Sequence, residues 1–237
     1  EVIIVGENSS EDGMKESLGE AAARYLEYTI KDGNIVGVSM GSTLFEVVSH
    51  VVHPAAQKVT FVPLVGGVGR VRMELHANSL AESLSRIYDG KFVPLHAPAR
   101  VSSRNIRDEL LKEDSLLPAI YLTQKLDIAV VGIGYPNEKS AIMATGYFKE
   151  NEIESLIDRK VAGELCMQFY DIYGDTAPYK DDNNVIGMDI SMLRSVPRSI
   201  GIAGGVEKLR AVRGAINGHY INTLITDIEC AEALISE

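Results

Sequence analysis

Residues 35–43 read IVGVSMGST, and the fold prediction starts from this stretch. It starts as a short apolar run typical of a buried strand and then reaches glycine at Gly41. Beyond it, apolar residues recur at the 3.6-residue period of a helix: Leu44, Val47, Val48, Val51 and Val52. The stretch therefore predicts a strand that ends in a tight turn and leads directly into a helix.

The same arrangement recurs along the chain. Candidate strands are predicted at 2–5, 35–39, 59–64, 128–131, 199–203 and 221–225. Strands that alternate with helical segments are typical of a parallel sheet with helices on both faces. We therefore predict an α/β fold with a Rossmann-like, three-layer arrangement around a parallel sheet.

The net charge argues against direct contact with nucleic acid. The 237 residues include 33 acidic and 23 basic side chains, which gives a formal net charge of −10. A protein that grips nucleic acid by itself needs a basic face that displaces counterions. An acidic chain can still hold one local basic pocket, so binding of a small anion remains open.

Length and cysteine content indicate one domain in a reducing compartment. We expect a single domain over residues 1–237, located in the cytoplasm. Cys166 and Cys230 lie far apart with no CxxC pair, so neither a disulfide framework nor a zinc site is predicted. No apolar run approaches the ~20 residues of a membrane span. The chain starts at Glu1, directly before a predicted strand, and we expect its natural N-terminus to lie upstream.

Four glycine turns would lie at one edge of a parallel sheet. They are Gly41, Gly66-Gly67, Gly132 to Gly134 and Gly204-Gly205. In open parallel sheets, ligands bind outside the carboxyl ends of the strands, near a switch in strand order. Glycine at this edge lets backbone N–H groups approach a ligand, although it can also serve only as a tight turn.

The turn at Gly41-Ser42-Thr43 is the strongest candidate for an anion site. It lies between a predicted strand and a predicted helix, so its N–H groups would point out of the helix N-terminus. Unpaired donors and the helix dipole attract anions to this position. An alternative is a plain capping box, formed by Thr43 and by Glu46 three residues later.

Lys208 and Glu164 are further candidates. Lys208 falls in the turn after Gly204-Gly205, where a bound anion would offset its unfavourable interaction with the helix dipole; the alternative is a solvated lysine. Glu164 could accept hydrogen bonds from sugar hydroxyls, or it could be an ordinary exposed acid. A helix around Glu164 is predicted by apolar residues at a spacing of four: Ile153, Ile157, Val161, Leu165 and Phe169.

Signatures of other ligands and of nucleophilic catalysis are missing from the sequence. There is no Walker A run, no GxGxxG after a strand and no GxSxG elbow. The five histidines form no metal-binding pattern. The sequence therefore predicts no cofactor, no metal and no catalytic residue.

Taken in order along the chain, these motifs resemble the effector-binding domain of SorC-type bacterial transcription regulators. The resemblance covers nearly the whole chain. The matching stretches are 36–43 (VGVSMGST), 63–67 (PLVGG), 163–166 (GELC), 169–171 (FYD), 203–205 (AGG) with Lys208, 215–218 (AING) and 224–227 (LITD). Each stretch alone is weakly specific, but the ordered set is specific.

This resemblance implies a fold similar to that of glucosamine-phosphate and ribose-phosphate isomerases. It implies a dimeric or tetrameric regulator that contacts DNA only through an N-terminal helix-turn-helix domain, which this chain lacks. The implied effector is a sugar or sugar phosphate, and no membrane partner is implied. By family pattern, the phosphate would be held by Gly41, Ser42, Thr43 and Lys208. Glu164 would hold sugar hydroxyls, and Gly66-Gly67 would line the pocket.

One position departs from a pattern seen in part of the family. Some members carry lysine, which can form a Schiff base, or arginine, which can bind a second phosphate, just before the Gly-Gly pair. This chain has Val65 there. We therefore expect non-covalent binding of a sugar with one phosphate at most.

Two other function classes compete with a sensor domain. An isomerase-like enzyme of the same fold would need a base at the sugar carbons with a pKa near working pH. No acid of this chain lies in a recognisable catalytic motif, so we expect no enzyme activity. A purely structural assembly domain would bind no sugar phosphate at all.

Overall fold

The computed structural model describes residues 1–7, 10–52, 54–69, 72–137 and 145–236. Within these ranges, the strands are β1 (Val2–Val5), β2 (Ile35–Val38), β3 (Thr60–Pro63), β4 (Lys91–Phe92), β5 (Ile128–Gly132), β6 (Gly163–Leu165), β7 (Gln168–Tyr170), β8 (Arg198–Ile202) and β9 (Thr223–Asp227). The α-helices are α1 (Glu11–Thr29), α2 (Ser42–His50), α3 (Ala77–Ile87), α4 (Arg104–Leu110), α5 (Leu117–Thr123), α6 (Glu150–Asp158), α7 (Leu209–Asn217) and α8 (Ile228–Ser236). Short 3-10 helices lie at Met73–Leu75, Ala177–Tyr179, Ile190–Ser195 and Val206–Lys208.

In the part of the chain that the structure describes, the main sheet has seven strands in the order β1-β9-β8-β5-β2-β3-β4. All of its pairings are parallel, which confirms the predicted parallel sheet. From β2 the chain proceeds outward through β3 and β4, and it then returns to the other side of β2 with β5 and β8. The connections that follow the neighbouring strands β2 and β5 therefore run to opposite sides of the sheet. Their divergence opens a crevice beyond the carboxyl ends of these two strands.

Side chains from the two faces of the sheet enter two separate cores. In β5, Ala129 and Val131 belong to one core, while Ile128 and Val130 belong to the other, as the two-residue period of a strand requires. Helices α1, α2 and α3 cover the second face, and α5, α6, α7 and α8 cover the first. The predicted three-layer α/β architecture is thus confirmed. Among the described residues, the helices are too short or too polar to be membrane spans.

The helix predicted around Glu164 is wrong. Helix α6 ends at Asp158, and Lys160 adopts a left-handed φ of 66° that ends the helical path. The chain then forms an antiparallel hairpin in which Glu164 of β6 pairs with Phe169 of β7. Cys166 and Met167 form its two-residue loop with φ values of 50° and 64°, the conformation of a type I′ turn. Glu164 therefore lies on a strand.

Candidate functional site

A cleft of about 420 Å³ lies at the carboxyl edge of the sheet, above the crevice between β2 and β5. Among the described residues, five parts of the chain line it. These are the loop after β2 at 40–44, the end of β5 and the loop after it at 132–137, Glu164 of β6, the end of β8 and the segment after it at 202 and 207–208, and the first turns of α1. The fold thus brings together segments that are far apart in sequence.

The N-terminus of α2 points into this cleft. Gly41 is the N-cap, with a φ of 126°, and the helix begins at Ser42. No side chain among the described residues caps the helix, and its N-cap is Gly41 rather than Thr43, so the alternative capping box of Thr43 and Glu46 is wrong. Thr43 instead occupies the second helical position, and the N–H groups of the first turn have no partner within the helix. The N–H of Gly41 itself donates to the Leu75 carbonyl at 3.0 Å, so it is already engaged.

Lys208 lies in the same cleft, at the end of the 3-10 helix that precedes α7. Burial lowers the pKa of Lys208, the charge of Glu207 opposes this effect, and the charge of Lys15 adds to it. The ammonium group has therefore lost part of its hydration, and none of the ion pairs found within the described ranges includes it. A bound anion would compensate for the lost hydration.

Glu164 faces the cleft beside the loop after β5. Its backbone exchanges two hydrogen bonds with Gly134, at 2.9 and 3.0 Å, and a Cβ added at Gly134 would lie 2.0 Å from Glu164 Oε1. The Met167 N–H donates to Glu164 Oε2 at 2.8 Å. Burial raises the pKa of Glu164 to about 7, although this hydrogen bond and the charge of Lys208 both oppose the rise. The carboxyl group therefore titrates near neutral pH.

Two charged residues of α1, Glu11 and Lys15, also line the cleft, and the sequence analysis did not single them out. Lys15 forms an ion pair with Glu11 at 2.6 Å, and the Lys15 side chain is only 24% exposed. Only their position in the chain could have indicated them, because α1 follows β1 and so begins at the same edge of the sheet.

Within the described ranges, no group of three or more His, Cys, Asp or Glu residues is arranged to hold a metal ion.

Gly66 and Gly67 are not among the residues that line the cleft. The Gly66 N–H donates to the Ile186 carbonyl at 2.9 Å, and the Gly67 N–H donates to the Ala97 carbonyl at 2.8 Å. Their backbone donors are therefore used in packing against neighbouring loops. A role for these two glycines in ligand binding stays a prediction, without support from their contacts.

Comparisons with known proteins give a consistent result. The chain matches the profile of the Sugar-bind family of sugar-binding domains over residues 1–236. It is 27% identical over 227 residues to the deoxyribonucleoside regulator of Bacillus subtilis strain 168, a match that covers 95% of this chain and 72% of that protein. It is 29% identical over 234 residues to the sorbitol operon regulator of Klebsiella pneumoniae, with 96% and 74% covered.

A solved structure extends this similarity to the fold. The crystal structure of the full-length sorbitol operon regulator SorC from Klebsiella pneumoniae superposes with a TM-score of 0.88 at 27% identity. The superposition covers 99% of this chain and 76% of that one. The chain therefore belongs to the Sugar-bind family, as the sugar-sensing domain of a SorC-type transcription regulator.

Proposed function

We propose that this domain binds a phosphorylated sugar non-covalently in the cleft. The observation that carries the proposal is that the N-terminus of α2 and the desolvated Lys208 line the same cleft. The unpaired N–H groups of a helix N-terminus and a partly buried ammonium group are complementary to a phosphate. The hydroxyls of Ser42 and Thr43 add donors at the same position.

The rest of the ligand would lie against Glu164. An ionised carboxylate accepts hydrogen bonds from hydroxyl groups, which are the groups that a sugar offers in number. Val65, before the Gly66-Gly67 pair, is fully buried and apolar. That position therefore supplies neither an amine for a covalent bond nor a guanidinium for a second phosphate. These features support a ligand with a single phosphate group.

The bound sugar would regulate DNA binding by another part of the full-length protein. This chain carries a net charge of −10, which disfavours direct contact with DNA, and we assign that contact to an N-terminal helix-turn-helix domain. A dimer or tetramer in the cytoplasm would fit this role. Two relatives are named as a deoxyribonucleoside regulator and a sorbitol operon regulator, and both names refer to compounds that carry several hydroxyl groups or a sugar.

An isomerase-like enzyme is a second candidate, and one observation favours it. The pKa of Glu164, raised to about 7 by burial, suits a general base that removes a proton next to a carbonyl. Proton exchange at the carbon next to the carbonyl, followed by NMR in deuterated buffer, separates the two functions. A sensor leaves ribose 5-phosphate and glucosamine 6-phosphate unchanged, whereas an isomerase exchanges that proton.

The test of the proposed function is thermal unfolding with a panel of sugar phosphates. A ligand at 100 times its Kd should stabilise the wild-type domain by roughly 2.7 kcal/mol. Lys208→Met should weaken the binding of that ligand by about tenfold or more, because a charge-assisted hydrogen bond is lost. The matched control is Lys180→Met, at an exposed position outside the cleft. No stabilisation by any member of the panel, or equal affinity of the two lysine variants, would contradict the proposal.

A further inference from the structure

An inner chamber of about 40 Å³ adjoins the cleft. Cleft and chamber share Met40, Gly41, Gly132 and Glu164, and we call these four residues the neck. Beyond the neck, the chamber is lined by Ser39, Thr145, Cys166 and Met167, which do not line the cleft. The chamber is thus a separate space that opens from the main site.

The chamber is polar although it is buried. Ser39 and Thr145 are each only 2% exposed. Ser39 Oγ accepts the Gly132 N–H at 3.1 Å, and its own hydrogen is a donor that this bond does not use. The Glu164 carboxyl supplies an acceptor on the side of the neck. A neutral group that both donates and accepts a hydrogen bond would complement this pair.

The remaining wall is neutral and fixed. Burial raises the pKa of the Cys166 thiol, with a smaller contribution from the charge of Glu164, so the thiol stays protonated. Cys166 and Met167 form the left-handed turn that the Glu164 carboxylate holds through the Met167 N–H. Left-handed conformations of residues other than glycine are uncommon and tend to occur at functional sites. The surrounding hairpin therefore maintains the shape of the chamber.

Size limits what can enter. A cavity needs about 10–15 Å³ to hold one water molecule, so the chamber of about 40 Å³ has room for a group of roughly three such volumes. A hydroxyl or a hydroxymethyl group fits this description, and a sugar ring or a second phosphate does not. The space therefore matches a single substituent of a sugar whose ring and phosphate lie in the cleft.

We infer that the chamber is a specificity subsite that takes one hydroxyl or hydroxymethyl group of the effector, which enters through the neck and bonds Ser39 and Glu164. The inference rests on the proposed function, since it assumes that a sugar phosphate occupies the cleft. It adds that effectors are selected by one particular hydroxyl group. A site built to bond a hydroxyl discriminates strongly against a ligand that lacks it, because its polar groups are then left unpaired.

Gly132 is a neck residue at which a methyl group can be added, to narrow the neck, without disturbing the fold. A Cβ added there would lie 3.4 Å from Leu44 Cδ2 and 3.8 Å from the Met40 carbonyl oxygen, which are ordinary contacts. Gly41 is less suitable, because its φ of 126° would strain any other residue. The matched control is Gly6→Ala, since a Cβ at Gly6 meets nothing within 4 Å and Gly6 lines neither space.

The experiment is a double-mutant type of cycle. It combines the Gly132→Ala substitution in the protein with the removal of single hydroxyl groups from the ligand, and it compares the resulting affinities. The tightest sugar phosphate from a thermal-shift panel, and its analogues with each hydroxyl replaced in turn by hydrogen, are titrated calorimetrically into wild type, Gly132→Ala and Gly6→Ala. We expect one deoxy analogue to bind wild type and Gly6→Ala at least about tenfold more weakly than the parent sugar. In Gly132→Ala, the parent and that analogue should bind within about threefold of each other.

Two results would overturn the subsite. One is that no single deoxy analogue is penalised by wild type; the other is that the penalty persists undiminished in Gly132→Ala. In either case, wild type still binds the parent sugar phosphate and Lys208→Met still weakens it, so the proposed function survives. If wild type binds no sugar phosphate at all, the proposed function and the subsite fail together.

Discussion

The loops after β2 and β3 look alike in sequence but differ in structure. Each follows a buried strand and contains glycine at the same edge of the sheet. A Cβ added at Gly41, after β2, would meet nothing within 4 Å, because the loop opens onto the cleft. A Cβ added at Gly66, after β3, would lie 2.6 Å from the Ala97 carbonyl oxygen, because that loop is packed against backbone.

Strand order, rather than glycine itself, therefore determines which loop meets a ligand. β2 lies beside β5, whose connection leads the other way, whereas β3 lies between β2 and β4 in an uninterrupted series. The loops after β2 and β5 diverge and leave a space between them, whereas the loops after successive neighbouring strands such as β3 and β4 pack on one another. Glycine in the first case permits access, and glycine in the second permits close packing.

Gly66→Ala should produce the largest effect, and on stability rather than on binding. Its Cβ would meet three backbone atoms of Ala97 and Pro98 at 2.6–2.8 Å, so we expect a loss of about 2–3 kcal/mol in the free energy of unfolding. Gly67→Ala is the matched control, since its Cβ would lie 3.8 Å from the Ala97 carbonyl oxygen. Urea denaturation measures both. Equal stability of the two variants, or weaker ligand binding by folded Gly66→Ala, would contradict this account of the β3 loop.

The pH dependence of stability should show a smaller effect, from the carboxyl group that faces the β2 loop. The pKa of Glu164 is about 7 in the folded protein against 4.5 as its ordinary value, so the folded state holds the extra proton between these pH values. The resulting stability is complete below pH 4.5 and is lost as the pH rises through 7. From pH 5 to pH 8, wild type should lose roughly 1–2 kcal/mol more than Glu164→Gln.

Denaturant unfolding at several pH values measures this difference. The control is Glu154→Gln on the exposed face of α6, which should keep the pH profile of wild type. Identical profiles for Glu164→Gln and wild type would show that Glu164 does not titrate in this range.

Thr43→Val should produce the smallest effect, and on binding alone. The substitution removes one hydroxyl donor but leaves the N–H groups of α2, so we expect sugar phosphate affinity to fall about fivefold, or ~1 kcal/mol. Stability should hardly change, because Thr43 makes no capping bond. Thr29→Val, at the far end of α1, is the control for both quantities. Calorimetric titration measures the affinity of each variant for the sugar phosphate. Unchanged affinity in Thr43→Val would show that the Thr43 hydroxyl does not contact the phosphate.

The strands of the main sheet were largely predictable, whereas the hairpin was not. In β2, β3 and β5 the apolar runs are continuous because both faces of the sheet are buried, and glycine marks their ends. The hairpin lacks the usual signal, since its type I′ turn consists of Cys166 and Met167 rather than Asn-Gly. Apolar residues from Ile153 onward recur at intervals of four, a spacing that also satisfies the two-residue period of a strand.

Contacts from distant parts of the chain decide the outcome at the hairpin. The Phe169 N–H donates to Asn183 Oδ1 at 3.0 Å, and the Gln168 side chain donates to the Met188 carbonyl at 2.7 Å. A local periodicity contains no information about such partners. For the same reason, the sequence suggested Lys208 and Ser42 separately, but it did not indicate Lys15, whose presence in the cleft depends on how α1 crosses the sheet.

The two walls of the cleft, on either side of the crevice between β2 and β5, are synthesised at different times. A nascent chain leaves the ribosome N-terminus first, at about 5–20 residues per second. Helices α1 and α2 therefore emerge long before β8 and Lys208, which form the opposite wall of the cleft. Under the proposed function, a nascent chain that lacks Lys208 does not bind the sugar phosphate. The effector then stabilises only copies whose translation has passed Lys208, and partly made chains do not compete for it.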